Sequence, residues 1–261
     1  MSAAVRFEAR DTIGLITLDR PDNRNSMTAE LLDAFTAAVA AARADEQLRC
    51  VVITGTGSCF SAGADFKAIL QRETSTYRAP HEKSFAMYAP FLSVLDIDVP
   101  VVGALNGHTI GGGFGLSMCC DIRIGSLTAK YGANFTRLGL SPGMAISYIL
   151  PRLVGISRAA EMLFTGRLVD GAEAERLGLL SSAVPAADVL PKALELAAAI
   201  AASAPIAVRE TKRAMYRGLG WDPRAAAHAE SFAQAESVVT ADAAEGIAAL
   251  LEKREPRFTG R

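Results

Sequence analysis

NGHTIGGGFGLSMCCD, residues Asn106–Asp121, places three consecutive glycines, Gly111, Gly112 and Gly113, between two apolar runs. The apolar run before them, Pro100 to Leu105, lies in a buried strand read over Val99 to Asn106, and the apolar segment after them, Phe114 to Cys120, in a helix read over Gly112 to Cys120. A glycine cluster where a strand gives way to a helix lets backbone come close to a ligand. It also leaves unpaired N–H groups at the helix start that attract negative charge. A second such place lies upstream, where CFSAGADFK (Cys59–Lys67) follows the apolar strand Cys50–Thr54. Two donor-bearing turns after two strands are the parts of an oxyanion hole made from main chain alone.

Working outward, Val5–Phe7 and Gly14–Leu18 flank Arg10 and Asp11 and read as a hairpin. RPDNRNSM (Arg20–Met27) is a turn, after which Thr28 caps a helix running to about Arg43. Gln71–Pro80 is polar and poorly patterned, a loop; helix returns from about Glu82 to Leu95 with an interruption near Pro90. Ile122–Ile124 is a further strand. Strand, glycine turn and helix recur at uneven spacing, which predicts an α/β fold. After about Pro185 the strands stop. Leu190–Ala202, Ile206–Leu219, Pro223–Val239 and Ala241–Arg254 are alanine-rich and helical. Such a block either packs across a neighbouring subunit or covers the core of its own chain.

Composition limits the function classes. The 261 residues are 50% hydrophobic and 21% charged, the balance of a globular protein. A net charge of −1 from 27 basic and 28 acidic residues argues against a nucleic-acid or polybasic membrane partner. MSAAVRFEAR has no signal or transit pattern, no apolar stretch reaches membrane-spanning length, and no CxxC pair occurs among the four cysteines. The expectation is a cytoplasmic protein without disulfides.

Several motif matches fail on their chemistry. GLSPG (Gly139–Gly143) fits a nucleophile elbow, but that geometry needs the N–H of the residue after the serine, and Pro142 has none. Ser141 therefore reads as a turn residue. GGGFG lacks dinucleotide-fingerprint spacing and no phosphate loop is present. His81, His108 and His228 lie far apart with no Cys or His at ligand spacing, so no metal site is expected. Cys119 and Cys120 read as inert core thiols, and Asp121 as a helix-end or turn residue.

At CFSAGADFK and NGHTIGGGFG the chain resembles the crotonase, or enoyl-CoA hydratase/isomerase, superfamily. LDRPDNRNSM, YGANFTRLGLSPG, LPRLVGISRAAEML, TGRLVDGAEAERLGLLSSAVP and EKREPRF extend the resemblance over nearly the whole chain. It implies an α/β spiral of repeated ββα units over residues 1–190 and a helical oligomerisation region over 191–261. The assembly it implies is a homotrimer or a dimer of trimers. It also implies an acyl-CoA ligand, with coenzyme A entering as part of the substrate and no permanently bound cofactor. Carried over, the oxyanion donors are the N–H groups of Ala64 and Gly112. Carbonyls near Ala62 and Phe66 hold the adenine, Asp65 joins that segment, and Arg24 and Lys67 are candidates for the CoA tail.

The chain departs from the family where proton transfer belongs. Gly115 and Phe135 stand where hydratases of the family carry glutamates, and Gly143 where related isomerases carry an acid. General acid–base groups contribute about 10²- to 10⁴-fold each, so this pattern predicts a poor hydratase. His81, at a helix start beside the Gln71–Pro80 loop, is the leading replacement; Tyr77, Glu82, His108, Asn134 and Ser141 have weaker claims. Phe114, Phe135 and Met144 suggest an apolar acyl pocket or ordinary core. Three readings follow: an enzyme acting through a stabilised enolate with atypical acid–base residues, a non-catalytic acyl-CoA-binding protein, or an ordinary hydratase whose glutamates lie elsewhere.

Overall fold

Val5–Arg10 (β1) pairs antiparallel with Ile13–Leu18 (β2), the hairpin expected from sequence. In the computed structural model, which describes residues 3–65 and 80–261, this hairpin forms one side of a six-stranded sheet. Its order is β1-β2-β3-β5-β7-β10, where β3 is Cys50–Gly55, β5 Val101–Leu105, β7 Ile122–Ser126 and β10 Ser182–Val184. Strands β2 to β10 are parallel. Both faces are covered, which explains the unbroken apolar runs of β3 and β5. Val51, Ile53, Val101 and Leu105 face a core that includes Leu31 and Phe35 of helix α1 (Ala29–Ala44) and Phe91 of α2 (Pro80–Leu92). The Phe35 and Phe91 rings meet edge to face at 4.9 Å. Cys50, Val52, Val102 and Ala104 face Val189, Ala193 and Ala197 of α7 (Val189–Ala201).

Each of β3, β5 and β7 is followed within a few residues by a three-residue strand of a second sheet. These are β4 (Cys59–Ser61), β6 (His108–Ile110) and β8 (Lys130–Gly132), which lie parallel, with β9 (Val169–Asp170) antiparallel to β8. Helices α3 (Gly112–Met118) and α4 (Ile146–Val154) come after β6 and β8. This is the repeated ββα arrangement that the resemblance implies. The short strands are absent from the reading of CFSAGADFK as a turn, because three residues give no periodicity.

Thr28 caps α1 by accepting from the Leu31 N–H at 3.2 Å, as expected. Helix α2 differs from expectation: it continues through Pro90 to Leu92 and then tightens into a 3-10 turn, Ser93–Asp96. A proline this near the end removes one N–H with little helix left to disturb. The Gln71–Pro80 loop lies, but for Pro80, outside the described residues.

Beyond β10, α5 (Ile156–Thr165) and α6 (Gly171–Arg176) having come before it, the chain is helical: α7, α8 (Pro205–Arg217), α9 (Pro223–Val238) and α10 (Ala241–Glu252). Helix α7 packs on the chain's own sheet, whereas α9 has no buried residue. Leu219, Phe232, Val239, Leu250 and Leu251 are all exposed in the same region. Among the described residues no single helix is long and apolar enough to cross a membrane. Asp121 is more than a turn residue. Its carboxylate accepts the Val101 N–H at 2.7 Å, pairs with Lys212 at 2.9 Å and accepts from the Tyr216 hydroxyl at 2.6 Å, tying α8 to the sheet. Arg49 makes a second tie, donating to the Ala201 carbonyl at 3.0 Å and the Phe258 carbonyl at 2.8 Å.

Candidate active site

Strands β4 and β6 are parallel neighbours, pairing Cys59 with His108 and Ser61 with Thr109, so the segments leaving their C-terminal ends emerge side by side. Ligands in parallel α/β sheets bind beyond such strand ends. From β4 comes Ala62-Gly63-Ala64-Asp65; from β6 comes Gly111 and the first turn of α3. The two segments touch at Gly63, which has φ +81°. A Cβ there would lie 2.6 Å from the Gly112 nitrogen and 2.8 Å from the Ile110 carbonyl oxygen. Only glycine permits both the conformation and the approach.

The first of these segments is also held from its other side. The Met27 N–H donates to the Gly63 carbonyl at 2.8 Å, Ala64 bridges to Met27, and the Ala62 N–H donates to the Arg24 carbonyl at 3.0 Å. Arg24 and Asn25 both have positive φ, 59° and 52°, a left-handed pair that non-glycine residues adopt at a cost. Among the described residues, no acceptor is found for the N–H of Ala64 or of Gly112. Two donors without a protein acceptor thus come from adjacent loops.

The walls beside α3 are apolar. A Cβ at Gly115 would overlap the Cβ of Met144, and Met144 is 1% exposed. Met144 and Ala145 are again consecutive residues with positive φ, 58° and 55°. Phe135 is half-buried with its ring edge near Gly111, and Phe114 belongs to the core. No hydrophilic side chain occupies positions 115, 135 or 143. The Tyr88 hydroxyl of α2 packs directly against Gly143.

Of the other residues singled out from sequence, His81 is exposed in the first turn of α2, seven positions before Tyr88 and so on the same helix face. Arg24 is exposed beside the loop, and Asp65 ends the described part of it. Phe66, Lys67 and Tyr77 lie outside the described residues. His108 is exposed on β6, its ring Nδ1 accepting the Lys130 N–H at 3.0 Å. Cys119 and Cys120 are buried; desolvation pushes the Cys119 thiol up to about 12 and the Cys120 thiol up as well. Sequence reasoning missed Asn25, Met27, Ser61 and Tyr88. Asn25 carried a signal, because asparagine is the residue that tolerates a left-handed turn; the others become visible only in three dimensions.

Residues 8–261 match the family model described as enoyl-CoA hydratase/isomerase. The chain is 37% identical over 263 residues, covering 100% of both proteins, to YngF of Bacillus subtilis (strain 168). It is 33% identical over 260 residues to the crotonyl-CoA hydratase of Syntrophomonas wolfei, covering 98% of this chain and 97% of that one. A crystal structure of enoyl-CoA hydratase from Bacillus anthracis superposes with a TM-score of 0.91 at 32% identity, covering 99% of this chain and 100% of that chain.

Proposed function

Because this chain belongs to the enoyl-CoA hydratase/isomerase family, we propose that it takes a coenzyme A thioester and holds the thioester oxygen between the N–H groups of Ala64 and Gly112. The observation that supports this reading is the close approach of Gly63 to the Gly112 nitrogen, which sets the loop carrying Ala64 against the start of α3. Donors fixed in advance stabilise the negative charge that moves onto that oxygen as an enolate forms, and they need no reorganisation during the reaction. Ala62, Asp65 and Arg24, with Phe66 and Lys67 beyond the described residues, hold the CoA portion. Coenzyme A enters with the substrate, and no resident cofactor is required.

The proton transfers are not those of an ordinary hydratase. Neither Gly115 nor Phe135 can carry a proton, and Met144 fills the space beside Gly115. We assign proton transfer to His81, on the α2 face that continues to Tyr88. A binding-only protein is the second reading, and the packing of Met144 into the acid–base position favours it. The subunits act in the cytoplasm as a homotrimer or dimer of trimers, residues 191–261 supplying contacts; the exposed apolar side chains of that region support this.

Calorimetry with a panel of acyl-CoAs, followed by turnover of crotonyl-, 3-enoyl-, dienoyl- and malonyl-type thioesters, tests the proposal. Binding is expected, with weak crotonyl-CoA hydration. Hydration at rates normal for the family would overturn the assignment of atypical acid–base chemistry, and tight binding without any turnover would establish the second reading. Gly112→Pro removes one donor; unchanged binding in a folded variant would disprove the oxyanion site.

A further inference from the structure

Ser61 ends β4 with no exposed surface, immediately before the loop that carries Ala64. Its hydroxyl donates to the Asn25 carbonyl at 2.8 Å and accepts the Gly63 N–H at 3.3 Å. Asn25 is itself fully buried, and its side chain is held at both ends: Nδ2 donates to the Thr56 and Cys59 carbonyls at 3.1 and 2.9 Å, and Oδ1 accepts the Arg20 N–H at 2.8 Å. The far side of Ser61 lies on α3. A Cβ at Gly113 would overlap the Ser61 carbonyl and lie 2.6 Å from the Ser61 Cβ. One buried serine therefore contacts the strained turn at Arg24–Asn25, the loop before Ala64, and the helix that begins at Gly112.

We propose that Ser61 is a positioning residue, which, anchored on Asn25, sets the separation of the Ala64 and Gly112 donors. This rests on the thioester-oxygen reading of those two amides. The strain at Arg24 and Asn25 is retained because the surrounding hydrogen bonds over-determine the turn. Its consequence is that the Asn25 carbonyl is presented to the serine hydroxyl. Without that hydroxyl the Gly63 N–H loses its acceptor, and the loop, still tied to Met27 and Arg24, relaxes by a fraction of an ångström on its Gly112 side. That is enough to misalign a donor, because N–H groups act only when 2.7–3.1 Å from the oxyanion, by the general geometry of such sites.

The test uses butyryl-CoA isotopically labelled at the thioester carbonyl, with the carbonyl stretch read by difference infrared spectroscopy. Bound to the wild-type protein, the stretch is expected at lower frequency than in solution. In Ser61→Ala most of that lowering is lost, while affinity for free coenzyme A is unchanged. Turnover of any accepted thioester is expected to fall roughly 10-fold in kcat with KM unaltered, part of the ~10²–10³ lost with a whole donor. Should Ser61→Ala fail to fold, Ser61→Cys, slightly larger but a weaker hydrogen-bonding group, carries the same test. A purely structural role would lower the melting temperature and leave the bound carbonyl stretch unmoved, which would overturn the proposal. No lowering in the wild-type protein would instead defeat the oxyanion reading itself.

Discussion

The Cβ of Met144 occupies the space into which a side chain at Gly115 would project. Restoring a carboxylate at 115 alone therefore collides with a buried neighbour. Gly115→Glu is expected to destabilise the protein by about 1–3 kcal/mol through overpacking, and by more through the buried charge. Met144→Gly removes the obstructing Cβ and suits the positive φ at 144, though it also empties core volume. In a double-mutant cycle by urea denaturation, the cost of Gly115→Glu should shrink in the Met144→Gly background. Additive costs would show that the two positions are independent.

Lys212 and Asp121 are both largely shielded, at 14% and 15% side-chain exposure. Lys212 also donates to the Ile97 and Val99 carbonyls at 2.8 and 2.9 Å. Lys212→Ala leaves Asp121 without its counter-charge and should cost about 3 kcal/mol, near the low end for breaking a buried pair. The double variant Asp121→Asn/Lys212→Met should be milder than Lys212→Ala. Equal melting temperatures for Lys212→Ala and the wild type would refute this account of how α8 is held.

Desolvation pushes the Cys50 and Cys119 thiols up to about 12. At mildly alkaline pH both remain thiols, which react poorly with alkylating reagents. Iodoacetamide should leave Cys50, Cys119 and Cys120 unlabelled in the native protein and label all three in denaturant. Rapid native labelling at Cys119, followed by peptide mass mapping, would contradict the burial described.

Glu245 accepts from both terminal guanidinium nitrogens of Arg254, at 2.7 and 2.9 Å, and from the Arg257 N–H at 2.8 Å. The Arg254 bonds, then the Arg257 N–H, lower its carboxyl from the ordinary 4.5 to about 2. The folded state thus takes up this proton less readily than the unfolded chain. The stabilisation is complete above the ordinary value and disappears as the pH falls toward the depressed one. Wild type should exceed Glu245→Gln in stability at neutral pH, with the gap closing progressively in acid. A gap that widened on acidification would reverse the sign.

Much of the fold is legible along the chain, because its elements announce themselves locally. Thr28 marks a helix start, the apolar runs of β3 and β5 mark strands covered on both faces, and the alanine-rich helices after Pro185 stand nearly where periodicity puts them. What the sequence does not display is pairing over distance. Asp121 meets residues 91 and 95 positions later in the chain, which no local pattern encodes. The site divides in the same way. Its two glycine-bearing turns are readable singly, but their contact depends on β4 lying beside β6. Asn25 and Ser61 are polar residues in an apparent turn and a short apolar run, and their burial follows only from that packing.

Arg49 carries a consequence for biosynthesis. Its guanidinium donates to carbonyls 152 and 209 residues further along the chain. At roughly 5–20 residues per second, an early-synthesised arginine waits about 10–40 seconds before Phe258 exists to receive it. The β2–β3 region can assemble around α1 during that interval, but the Arg49 tie to Phe258 forms only once α10 and the segment after it have been made. Ribosome stalling within α9 or α10 would leave a chain with its strand framework formed and this arginine still in water.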